Sequence, residues 1–289
     1  MSKIPVLATI RAAYGFTFHH LGAIIGAIWL PMVIVTVAGF FVLHGFLGAA
    51  IDMLSGANPS AVGPALLVMI VYLVAALLLY AVMYVAITQL ALGVRKTGVI
   101  VLFAFGPPER RMFRALLALT GLCLVLAGAA LLVVMVILAL APAAGLRLSQ
   151  MEASALLSLG AYAVMAVLVP RFGLLLPAIG VAEETPVLRR AWELSAGNFL
   201  ALLALVIAVL APGFVIAQLA SLLLPSAPLP PGVSGTAEMI ALFRQEQAML
   251  PALTGIGFFV SPLTLGLIAG GSVAAWRALA GTRPEGAPK

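Results

Sequence analysis

Apolar positions in this chain do not alternate and do not recur on one helical face. They run unbroken over six stretches, near 21–48, 63–92, 114–141, 154–181, 199–224 and 252–279. Each is long enough for the roughly 20 helical residues that cross a hydrocarbon core of about 30 Å. Barrel strands would be shorter and would alternate apolar and polar positions. The pattern therefore predicts an all-α polytopic membrane bundle of six transmembrane helices, forming one integral membrane domain over 1–289.

Between these runs the polar residues fall in short amphipathic segments, near 4–20, 108–113, 186–197 and 236–249. These read as interfacial helices, with an apolar face in the bilayer boundary and basic residues toward the headgroups. Thr185 and Thr236 stand where an N-cap hydroxyl would accept a free amide hydrogen, and Pro186 where the first helical residue would be. Three of the segments, RAAYGFTFHH, PPERRMFRA and TPVLRRAWELSAGNF, each precede an odd-numbered span. YAVM at 80–83 returns at 162–165, and ALLAL at 115–119 returns at 201–205. The spacing predicts a parallel repeat of interfacial helix, span and returning span, not the inverted repeat of many secondary transporters.

Composition sharpens this picture. Hydrophobic residues make up 64% of the chain and charged residues 8%, with a mean hydropathy of +1.23, whereas soluble domains carry about 25% charged residues. The net charge of +6 is spread through the connecting segments, so it sets topology and does not imply a nucleic-acid partner. All Lys and Arg residues except Arg147 and Arg244 fall on one side of the predicted spans. The positive-inside rule makes that side, with both termini, cytoplasmic. No cleavable signal peptide is expected, since the apolar start IPVLATI is short and Arg11 interrupts it. The single cysteine, Cys123, excludes an intrachain disulfide framework.

The densest chemistry lies in RFGLLLPAIGVAEETPVLRRAW, residues 171–192. Arg171 falls inside the fourth apolar run, where an unpaired arginine is costly. It requires a partner, a hydrated pocket, a freed carbonyl or lipid phosphates. Pro177 frees such a carbonyl, on Gly173. Two readings stand: a structural or snorkelling arginine, and an arginine that contacts an anionic ligand. Glu183 and Glu184 precede a helix whose positive end favours anions. Arg189 and Glu193 are four apart on one face of that helix, and Trp192 is an interfacial anchor. Arg171, Glu183, Glu184, Arg189, Arg190 and Trp192 are thus the candidate lipid, ligand or structural polar site. As solvated neighbours the two glutamates do not make a catalytic pair.

No catalytic residue, cofactor or metal is expected. The chain has no GxxxxGK[ST], HExxH or GxSxG motif. His19 and His20 diverge by about 100° on a helix and His44 is remote. Gly22 with Gly26, and Gly266 with Gly270, form GxxxG pairs that predict close packing of the first and last spans.

The stretch RFGLLLPAIGVAEETPVLRRAWELSAGNFLALL resembles the bacterial six-helix inner-membrane proteins related to YciC and to the membrane domain of some glycerophosphodiester phosphodiesterases. The matching positions are Arg171, Pro177, Glu183 or Glu184, Leu188, Arg190, Trp192, Leu194, Gly197 and Asn198, with Ala191 where the family has serine. The resemblance implies a bacterial inner-membrane protein without catalytic residues of its own. The phosphodiesterase activity of such relatives belongs to a soluble domain that this sequence does not contain. The expected role is membrane or envelope organisation, lipid interaction or support of a partner complex; the alternative is a transporter or channel for a small or lipidic solute. The partners expected are membrane phospholipids, with a membrane-protein partner or a second copy of the chain.

Overall fold

A computed structural model of the chain describes residues 3–94, 105–140, 150–223 and 235–281, and these are helical throughout apart from short turns. The helices are α1 (Val6–Leu54), α2 (Val62–Leu92), α3 (Pro107–Leu140), α4 (Gln150–Leu168), α5 (Leu176–Ala182), α6 (Val187–Ser195), α7 (Phe199–Leu223) and α8 (Thr236–Ala280). A π-helical turn, Val169–Gly173, joins α4 to α5. Six of the helical segments are long and apolar enough to cross a bilayer, so the chain is a multi-pass membrane protein. Their outward faces carry exposed Leu67, Leu124, Phe214 and Leu222, a surface suited to lipid tails.

Three of the four expected interfacial segments are not separate helices. Residues 4–20 continue into α1, 108–113 into α3, and 236–249 into α8. Amphipathic residues at an interface do not break a backbone, and α1 and α8 run on through Gly22 and Pro251 at these junctions. Only α6 remains a helix of its own. The expected repeat therefore has a free interfacial helix in its third copy alone. The two threonine caps are absent as well. Pro186 occupies the N-cap of α6 and Gly235 that of α8, neither with a side-chain cap bond. Thr185 instead donates its hydroxyl to Glu183 Oε2 at 3.1 Å. At α3 the start is fixed by Glu109, whose carboxylate accepts the Gly106 N–H at 2.9 Å, the backward half of a capping box.

α1, of 49 residues, and α8, of 45, are the longest helices and form the most extensive pairing in the bundle. Gly266 and Gly270 make their contact possible. A Cβ on Gly270 would lie 2.9 Å from the Phe16 ring and 3.2 Å from the Ala13 backbone, and one on Gly266 would lie 2.8 Å from Thr17 Cγ2. The other GxxxG does not take part: Gly22 and Gly26 have no neighbour within 4 Å of a built Cβ.

The core gathers around α5. Leu175, Leu176 and Ile179 are fully or almost fully buried, against Val85 of α2, Met112 of α3, Leu202 and Leu205 of α7, and Leu267 of α8. The fourth apolar run, 154–181, is thus not one straight helix, in keeping with Pro177 and Gly180 within it. It is a 19-residue peripheral helix, a π-turn at Pro170, and a seven-residue helix driven into the bundle.

Candidate functional site

Two prolines build the site. Pro170 has no N–H and its ring opposes the preceding turn, which widens into the π-turn carrying Arg171. Pro177 then interrupts the ladder a second time. The Ala178 N–H donates to the hydroxyl of Ser272 on α8, at 2.9 Å and fully buried. A regular ladder resumes with Ile179 N–H to Leu175 C=O and Glu183 N–H to Ile179 C=O.

Glu183 closes α5 and is the hub of a polar cluster. Its Oε1 accepts the indole N–H of Trp276 at 2.8 Å, and its Oε2 accepts Arg190 Nε at 2.9 Å. With the Thr185 hydroxyl, three donors converge on one carboxylate and tie α5, α6 and α8 together. The Glu183 side chain is 16% exposed, so these bonds act in a partly desolvated place where charge-assisted bonds are strong.

Arg171 belongs to a second cluster. Its guanidinium lies 4.0 Å from the centre of the Trp192 ring and 5.7 Å from that of Phe199. Phe172 also stacks on Trp192, with ring centres 6.0 Å apart. Arg171 Nε is buried with no hydrogen-bond partner among the described residues. α6 folds back so that Trp192 reaches the π-turn, while Phe199 is the first residue of α7. Arg171 is therefore level with the start of α7, not deep within the bundle.

The remaining candidates are peripheral. Glu184 is 95% exposed and stands 3.9 Å from Arg111. Arg189 pairs with Glu193 at 3.0 Å on the exposed face of α6, as its spacing predicts. The site therefore joins Glu183 to Arg190 and Arg171 to Trp192, leaves Glu184 outside both clusters, and links Arg189 to the first only through Glu193, which also stands 3.7 Å from Arg190. Sequence reading missed Trp276, Ser272 and Arg111. Arg111 donates through Nε to the Gly180 carbonyl at 3.2 Å. Its place in a basic segment was a signal, but nothing local to Trp276 or Ser272 points to α5.

Other polar groups inside the bundle bind neighbouring helices. The Tyr14 hydroxyl donates to Ala208 C=O at 2.8 Å, and that of Tyr72 to Val35 C=O at 3.0 Å. His19 and His20 each bond the carbonyl four residues back on their own helix, while His44 meets Gln247. Among the described residues no group of three His, Cys, Asp or Glu side chains is placed to hold a metal ion. The chain matches no protein-family model, no curated protein and no solved structure.

Proposed function

We propose that this chain is a non-enzymatic bacterial inner-membrane protein that organises the membrane by holding phospholipid headgroups at its cytoplasmic side, where both termini lie. It would present that ordered lipid surface to partner proteins. The carrying observation is the basic collar: Arg110, Arg111, Arg114, Arg189 and Arg190 lie on α3 and α6 beside the end of α5, with Arg171 on its aromatic shelf. Tyr14, Tyr72 and Ser272, deeper in the bundle, bond between helices. α4 alone, at about 1.5 Å per residue, is close to the thickness of a hydrocarbon core. That length favours a membrane boundary at Arg171, where a cation–π shelf and lipid phosphates both compensate its charge.

The test is lipid retention. Protein extracted in a mild detergent should carry phospholipid in excess of an unrelated six-span control, as read by mass spectrometry. Retention equal to the control overturns the reading. A second reading, transport of a lipidic solute, is favoured by one observation, the π-turn that holds Arg171 with an unpartnered buried Nε. Movement of a fluorescent phospholipid across proteoliposomes, lost in Arg171→Ala at unchanged protein content, would establish it in place of the first.

A further inference from the structure

A groove of about 350 Å³ opens between α3 and the segment joining α5 to α6. Its two ends differ in chemistry. At one end are Arg111, Arg114 and Glu184; Ala115, Ala118 and Leu188 give it apolar walls. The small side chains of Ala115 and Ala118 leave the trough on α3. From Arg111 to Ala118 the helix rises about 10 Å, comparable with the headgroup layer of one leaflet, which is roughly 5–8 Å thick. α3 carries the groove from its basic first turns toward its lipid-exposed stretch around Leu124.

The charges of the groove are not used up internally. Arg111 spends Nε on the Gly180 carbonyl and turns one terminal nitrogen toward Glu184 at a loose 3.9 Å. Arg114 is exposed and makes no ion pair among the described residues. A site for a purely anionic headgroup would not place a 95%-exposed carboxylate at its mouth, since like charges repel. A zwitterion resolves this. Its phosphate suits Arg114 and the free end of Arg111, and its cation suits Glu184. The groove is lined by no aromatic side chain. It therefore lacks the cage that recognises a quaternary ammonium, and offers instead a carboxylate that accepts N–H bonds.

We propose that this groove binds a phospholipid whose headgroup is a phosphodiester bearing a primary amine, with the acyl chains leaving along Ala118. The proposal rests on the lipid-holding reading above and specifies its ligand. The test uses the full-length protein in nanodiscs made from equal parts phosphatidylethanolamine, phosphatidylglycerol and phosphatidylcholine with matched chains, followed by native mass spectrometry. The expected result is enrichment of phosphatidylethanolamine over phosphatidylcholine by about tenfold, the scale of one charged hydrogen bond. Glu184→Gln, at an exposed position that tolerates substitution, should abolish that preference while leaving phosphatidylglycerol retention undiminished. Arg114→Gln should lower retention of all three lipids. An unchanged preference in Glu184→Gln overturns the amine assignment and leaves the lipid-holding reading intact. Absence of any retained lipid in the unaltered protein overturns both. Equal displacement of the lipid by soluble glycerophosphoethanolamine would overturn the acyl contact, making the ligand a free phosphodiester.

Discussion

At the scale of single residues, Glu183 and Ser272 do more to hold α5 in place than their exposed neighbours do. Glu183→Ala removes one acceptor from three donors, leaving the Trp276 indole without its acceptor and Arg190 with only its longer pairing to Glu193 at 3.7 Å. The expected loss is about 2–3 kcal/mol, because groups deprived of a charged partner bear their desolvation cost. Thermal unfolding in detergent checks this. Ser272→Ala strands the Ala178 N–H in a fully buried place, with an expected loss of about 1–3 kcal/mol by the same measurement. Glu193→Gln should shift stability by less than about 0.5 kcal/mol, because its pairings with Arg189 and, more loosely, Arg190 are solvated. The sequence marked Glu183 as a candidate but could not reveal its role. Trp276 lies 93 residues away, and only tertiary packing joins them.

At the scale of elements, the apolar runs made the six crossings legible, since run length alone separates a span from a core helix. The junctions were less legible. A basic amphipathic segment looks the same whether it lies flat on a membrane or continues a span, and α1, α3 and α8 do the latter. Pro177 and Gly180 made a straight fourth span doubtful, but announced neither the π-turn at Pro170 nor that the piece beyond would fill the core. The paired GxxxG motifs were half informative. Gly270→Leu should separate α1 from α8 and cost about 1–3 kcal/mol or more through overpacking, since Ala13 backbone blocks the added atoms. Gly22→Ala meets nothing within 4 Å and should be neutral, or stabilising by about 0.5–1 kcal/mol through helix propensity. Unfolding of the two variants side by side separates motif from contact.

At the scale of the whole molecule, charge asymmetry is the ordering principle. The described basic residues Lys3, Arg11, Arg110, Arg111, Arg114, Arg171, Arg189, Arg190 and Arg277 sit in or near the ends of helices assigned to one side, and Arg244 sits near the opposite end. A reporter active only in the cytoplasm should therefore be active when fused after Lys289 and silent when fused within the 224–234 connection. The opposite pattern would invert the assignment and move the basic collar to the outer face. Arg95, Lys96, Arg147, Arg283 and Lys289, also used in that assignment, lie outside the described residues.

The pairing of α1 with α8 has a consequence for biosynthesis. About 180 residues separate the end of the one from the start of the other. At roughly 5–20 residues per second the ribosome needs about 10–40 s to supply the missing helix. During that interval Ala13, Thr17 and Ile24 of α1 lack the α8 glycines against which they pack. A shorter delay, set by the 94 residues between Ala178 and Ser272, leaves α5 without the hydroxyl that completes its first turn. Assembly of this protein is therefore a waiting process, open to insertases and proteases until the last helix arrives.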